Sequence, residues 1–116
     1  MCFVDFDPAE FVRSYHPRAR KPYLCGECRG AIPAGATYTR IVGRWEGEFW
    51  TFTVCDGCEA LRESVHTTEM QRGCDPRHAW APYGGLEEAI KDGGYGLIPG
   101  RLGFHRRQRA AQRTAA

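Results

Sequence analysis

Two short words decide how this chain folds: Cys25-Gly26-Glu27-Cys28 and Cys55-Asp56-Gly57-Cys58. Two residues between thiols let one tight turn aim both sulfurs at a single ion. Four thiolates then complete the tetrahedron that Zn²⁺ accepts. Gly26 and Gly30 suit the close turn and the amide-to-sulfur approach of a zinc knuckle. The stretch between the pairs is longer than in common zinc ribbons. A predicted β-hairpin absorbs the excess, because its strands run out and return to the same end.

That hairpin spans Thr37 to Val54, where Thr, Tyr, Ile, Val, Trp and Phe dominate. Glu46-Gly47 marks its turn. Trp50, Phe52 and Val54 alternate on one face of the second strand, with Phe49, Thr51 and Thr53 on the other. A helix follows from Asp56 to about Val65 or Thr68. Asp56 and Glu59 have the spacing of a capping box, and Ala60, Leu61 and Val65 supply the apolar stripe. The second thiol pair therefore falls at the hairpin's exit and in the first turn of this helix. Its amides and the positive end of its dipole offset part of the site's negative charge.

Outside this module the signals are local. Residues 1–7 read as extended. Pro8 to Tyr15 reads as a short helix capped by Asp7, with Pro8 at its first position and His16-Pro17 ending it. Residues 73–86 are irregular. Leu86 to Lys91 makes one or two helical turns, closed by Gly93-Gly94. Residues 93–103 hold five glycines and Pro99 and read as a linker. The expected architecture is a small α+β domain over residues 1–100, with a core module at 23–68 and a basic, flexible tail at 101–116. Of 116 residues, 14 are Gly and 7 are Pro, so little core is buried and a metal staple is needed.

The order of knuckle, hairpin and helix resembles the treble-clef zinc finger. Further words extend the likeness: Arg20-Lys21-Pro22, Ile32-Pro-Ala-Gly35, Val42-Gly-Arg-Trp45-Glu-Gly47, Phe52-Thr-Val-Cys55 and Cys58-Glu-Ala-Leu-Arg62. Over roughly residues 18–65 the chain is similar to a family of small zinc-binding proteins of bacteriophages and prophages. The resemblance implies a host bacterial cytoplasm, where thiols stay reduced, and it implies no established activity.

Other uses of the cysteines fit less well. A disulfide framework implies secretion, and Met1-Cys2-Phe3-Val4-Asp5 is not the start of a secretory signal. A redox CxxC usually sits singly in a βαβ unit. Cys2, His66, Cys74 and His78 can in principle form a second metal site, but the simpler reading makes Cys2 and Cys74 small buried hydrophobes. Catalysis finds little support. A closed four-thiolate site has no position for water, and no histidine lies between residues 17 and 65 to serve an HNH-type nuclease. Deaminase, phosphate-loop and nucleophile-elbow patterns are absent. No apolar run reaches the length of a membrane span.

The expected role is therefore a non-enzymatic interaction protein, and two partners compete. Arg44, Trp45 and Phe49 cluster near the hairpin tip, in the manner of aromatic and arginine anchors at protein interfaces. They suit a host protein. Trp50 and Phe52 are expected in the core instead, while Trp80-Ala-Pro-Tyr83 is expected to pack across the module. The alternative partner is DNA or RNA. Residues 1–100 hold 11 basic and 14 acidic residues, whereas the tail holds Arg101, Arg106, Arg107, Arg109 and Arg113 and no acid. With the connector Arg18-Ala19-Arg20-Lys21, these arginines are the candidate phosphate contacts.

Overall fold

The computed structural model describes Phe3 and residues 11–115. The hairpin is the spine of the fold. Strand β4 (Tyr38–Trp45) pairs antiparallel with β5 (Glu48–Cys55) through Glu46-Gly47, whose φ values are 52° and 81°. Positive φ at both turn residues matches the right-handed twist of the strands. Strand β1 (Phe11–Tyr15) adds to the free edge of β4, giving a three-stranded sheet in the order β1-β4-β5. Strands β2 (Tyr23–Leu24) and β3 (Ala31–Ile32) form a separate two-stranded ribbon around the first thiol pair.

Helix α1 (Asp56–Gln71) starts where β5 ends, with no intervening loop. It runs about one turn beyond the expected end. Cys55, rather than Asp56, occupies the N-cap position, and no side chain caps the helix. The expected capping box is therefore absent, because Asp56 is already the first helical residue. After a 3₁₀ turn at Pro76–His78 come α2 (Leu86–Asp92) and α3 (Arg101–Ala115).

Two further expectations are corrected. The stretch 11–15 is a strand and not the second half of a helix; residues 8–10 of the expected helix, and residues 1–7 apart from Phe3, lie outside the described residues. Local proline and capping signals favour a helix there. The open edge of β4 offers a full ladder of backbone partners, and pairing wins. The second correction concerns residues 101–115. They form a 15-residue helix packed on α1, not a tail beyond the domain. Phe104 is fully buried and fixes α3 to the core, and a Cβ placed at Gly100 would stand only 3.3 Å from that of Leu61.

The core lies on the inner face of the sheet. Ile41, Val54, Leu61, Val65, Leu86, Ile90 and Phe104 are all essentially inaccessible. Trp50 and Phe52 pack partly buried against this cluster, as expected, and both lie against Tyr83, at 5.5 and 5.8 Å between ring centroids. Tyr83 thus carries the 80–83 segment across the module. At the far end of α1, Arg72 donates to Glu69 Oε1 at 2.9 Å and to the carbonyls of Gly93 and Gly94 at 2.8 and 3.0 Å. These bonds tie the end of α2 to the end of α1.

Candidate metal centre

The four cysteines of the two CxxC pairs meet at one point. The sulfurs of Cys25, Cys28, Cys55 and Cys58 all lie within 4.8 Å of one another, close enough to hold one metal ion. Cys25, Cys28 and Cys58 are buried, and Cys55 is partly so. Each pair arrives by its own route. The first sits in a tight turn in which the Cys25 amide donates to Gly30 O at 2.9 Å and the Arg29 amide to Cys25 O at 3.0 Å. Arg29 takes φ 63° to reverse the chain there. The second pair spans the joint between β5 and α1.

Backbone amides already face the sulfurs. Those of Glu27 and Cys55 donate to Cys25 Sγ, each at 3.4 Å, and that of Gly30 donates to Cys28 Sγ at 3.3 Å. Such donors orient thiolates and offset their charge. The Gly26 amide bonds Thr53 O at 2.7 Å and stitches the first turn to β5.

The strongest donor comes from α3. Arg107 Nη2 donates to Cys58 Sγ at 3.3 Å. Its path crosses the first turn of α1, and a Cβ at Gly57 would stand 2.5 Å from Arg107 Nη1. Glycine between the last two thiols is what admits the guanidinium. Burial lowers the affinity of Arg107 for its proton, but the bonds to Cys58 and Cys28 outweigh it and leave the group more firmly cationic.

The thiols share their protons unevenly. Hydrogen bonds from Cys28, then Cys55 and Cys58, hold Cys25 far below the usual thiol range. Cys58 is held far above that range by its bonds to Cys25, Cys28 and Cys55. Cys25 and, less strongly, Cys28 are thus favoured as thiolates, with Cys55 and Cys58 as donors. All four can ionise together only around a cation, which is the condition for a metal centre.

Between the first two thiols, Glu27 is buried. It meets Arg62 of α1, with Nη1 3.5 Å from Oε2. Arg62 is also buried, donates to Ala81 O at 2.9 Å and lies 4.2 Å over the Tyr83 ring. Leu86, at the start of α2, donates its amide to Glu27 Oε1 at 3.4 Å. Desolvation raises Glu27 to about 7 against the pull of Arg62. One side chain inside the knuckle therefore connects the metal site to α1, the 80–83 segment and α2.

The second candidate set does not stand as a metal site: His66 stacks on Trp80 at 3.8 Å, and Cys74 is buried and disulfide-bonded, so it is neither a ligand nor the free buried thiol expected, while Cys2 lies outside the described residues. Of the arginines expected to meet phosphate, Arg107 turns inward to the thiols, and Arg101 donates to Gly96 O at 2.7 Å. Arg106, Arg109 and Arg113 are exposed. Arg44 and Phe49 are cross-strand partners, with the guanidinium 5.7 Å from the ring centroid and Phe49 70% exposed. Trp45 ends β4 at the turn.

Sequence reasoning missed Arg107 and the Glu27–Arg62 pair. Gly57 was the available clue to the first, since glycine in the first turn of a helix otherwise only weakens it. No family model, curated protein or solved structure matches the chain. Among the described residues, no helix is long and apolar enough to cross a membrane.

Proposed function

We propose that this chain is a non-enzymatic interaction protein, a treble-clef-like module built on one structural zinc ion, whose partner is a nucleic acid. Zinc suits the donor set: four thiolates, tetrahedral preference and no redox chemistry of its own. Bound there, it would hold the two CxxC turns together as a structural ion. The ligands would be Cys25, Cys28, Cys55 and Cys58, with Arg107 offsetting part of the double negative charge. A site closed in this way lacks the open position that metal-assisted hydrolysis requires.

The observation that carries the partner is the sign of the exposed charge. Arg106, Arg109 and Arg113 fall on one side of α3, opposite Phe104, and α3 contains no acid. Arginine without acid is the footprint of phosphate binding. The test is a titration of zinc-loaded, full-length protein with DNA and RNA at low and near-physiological salt. Replacing Arg106, Arg109 and Arg113 together by Gln should reduce affinity and flatten its salt dependence. An absence of binding at low salt would overturn the reading.

A host protein bound at the hairpin tip is the second reading, favoured by the exposure of Phe49 beside Arg44. It accords with the resemblance to phage-encoded proteins and a host bacterial cytoplasm. A defined host partner whose affinity falls on Phe49→Ala, in the absence of nucleic-acid binding, would establish it.

A further inference from the structure

We infer that α3 seats in the major groove of double-stranded DNA, with Arg106 and Arg109 as contacts to the two flanking backbones and Leu102 and Arg113 facing base edges. This rests on the nucleic-acid reading above and names the kind of duplex and the element that enters it. The helix supplies the argument. Leu102, Arg106, Arg109 and Arg113 recur once per turn, and all four are exposed, Leu102 by 55%. They form a row opposite Phe104, which is fully buried. Helical spacing puts Leu102 and Arg113 near the centre of the row, with Arg106 and Arg109 about 30° to either side. The three arginines span about 10 Å along the axis. No acid interrupts them.

The helix is held at one place and clear at another. Phe104 packs in the core and Arg107 bonds Cys58, so the orientation of α3 is tied to the thiol cluster. Beyond Arg107, the flank at Gln108, Ala111 and Gln112 borders a groove of about 790 Å³. Its other bank is the knuckle segment Arg29-Gly30-Ala31. A helix of ~10–12 Å diameter fills a major groove about 12 Å wide, and a backbone must then pass on each side of it. The space beside Gln108 and Gln112 gives one backbone its passage, and Arg29 is exposed on the far bank to meet it. Glu87 also lines the groove, with the wrong sign for a phosphate.

The row itself selects the duplex. Arginines alone suit any polyanion. An exposed leucine among them gains nothing from phosphate, whereas the thymine methyl lies on the floor of the DNA major groove. Duplex RNA keeps its major groove too deep and narrow for side chains to read. Unpaired strands are held by stacking on aromatic rings. The row offers none: Phe104 is buried, and His105 accepts a hydrogen bond from Arg101 at 3.4 Å.

The experiment titrates zinc-loaded, full-length protein by anisotropy with four labelled probes. They are a mixed-sequence DNA duplex, its RNA counterpart, one of its single DNA strands, and the same DNA duplex with deoxyuridine in place of thymidine. The DNA duplex should bind more tightly than the RNA duplex or the single strand, by on the order of ten-fold. Loss of the thymine methyls should weaken binding about four-fold, and Leu102→Ala should erase that difference. Arg106→Gln and Arg109→Gln should each flatten the slope of log K against log salt by about 0.9, with the thermal transition unchanged. Glu87→Gln should raise the affinity. Equal affinity for the two duplexes, tighter binding of the single strand, or a uracil duplex bound as well as the thymine one would overturn groove entry and leave the nucleic-acid reading standing. No binding of any probe at low salt would overturn both.

Discussion

Arg107, near the end of the chain, donates a hydrogen bond to Cys58, the last of the four clustered thiols, at 3.3 Å. The contact makes α3 part of the metal site. Arg107→Met removes the charge and keeps the stem, and zinc affinity should fall about 10–100-fold, as for other residues that support metal ligands. Gly57→Ala should produce a similar loss without touching Arg107, because the added methyl occupies the guanidinium's path. Competition against a chromophoric chelator reads both. Unchanged affinity in both variants would show that the contact has no part in metal binding.

Metal removal should unfold at least residues 23–65. Apparent structural-zinc binding energies of ~10–16 kcal/mol exceed what so small a core supplies alone. Cys28→Ser or Cys55→Ser should lower the thermal transition sharply and abolish its dependence on added zinc. A transition that ignores zinc would count against a structural ion.

Burial sets the third expectation. Glu27 sits between two ligands with its carboxyl raised from 4.5 to about 7. A carboxyl with a raised folded-state pKa takes up a proton on folding, so its contribution to stability declines as pH rises from about 4.5 to about 7 and is constant above. The decline is on the order of 3 kcal/mol at most. In zinc-loaded protein, Glu27→Gln should therefore show a shallower fall over that range. Parallel curves for the two proteins would sink the argument. Arg62→Met should be destabilising by about 3–5 kcal/mol, since it leaves a buried carboxylate unpaired, and adding Glu27→Gln should restore much of that loss.

Phe104 makes the fourth. Fully buried on α3, it should cost about 3–5 kcal/mol on replacement by Ala. Truncation after residue 100 should likewise destabilise the whole domain in chemical denaturation. A truncated protein as stable as the full chain would mean that α3 contributes nothing to the core.

The hairpin, α1 and the thiol cluster were legible because their signals are dense and local. Alternating aromatic and β-branched residues, a turn at Glu46-Gly47 and paired thiols all agree over residues 25–58. β1 was not legible. Phe11-Val12-Arg13-Ser14-Tyr15 becomes a strand because β4 has a free edge, a fact about tertiary pairing. α3 was hidden by its composition, five arginines and two glycines within 100–113 around a single large buried anchor, Phe104. Once 101–115 is known to be a helix, spacing puts Arg107 on the face of Phe104 and Arg106 on the opposite one, but it does not say that Arg107 meets the thiols. That contact depends on the gap at Gly57, fifty positions earlier in the chain, and is visible only once the fold is known.

Cys55 ends β5, occupies the N-cap of α1 and contributes a sulfur to the cluster, while its own amide donates to Cys25 Sγ. Sheet and helix therefore meet at a welded joint with no slack. Opening either element should require releasing the other, so the amides of residues 53–58 should be among the slowest in the chain to exchange with deuterated solvent, at a rate set by global unfolding and not by local fraying.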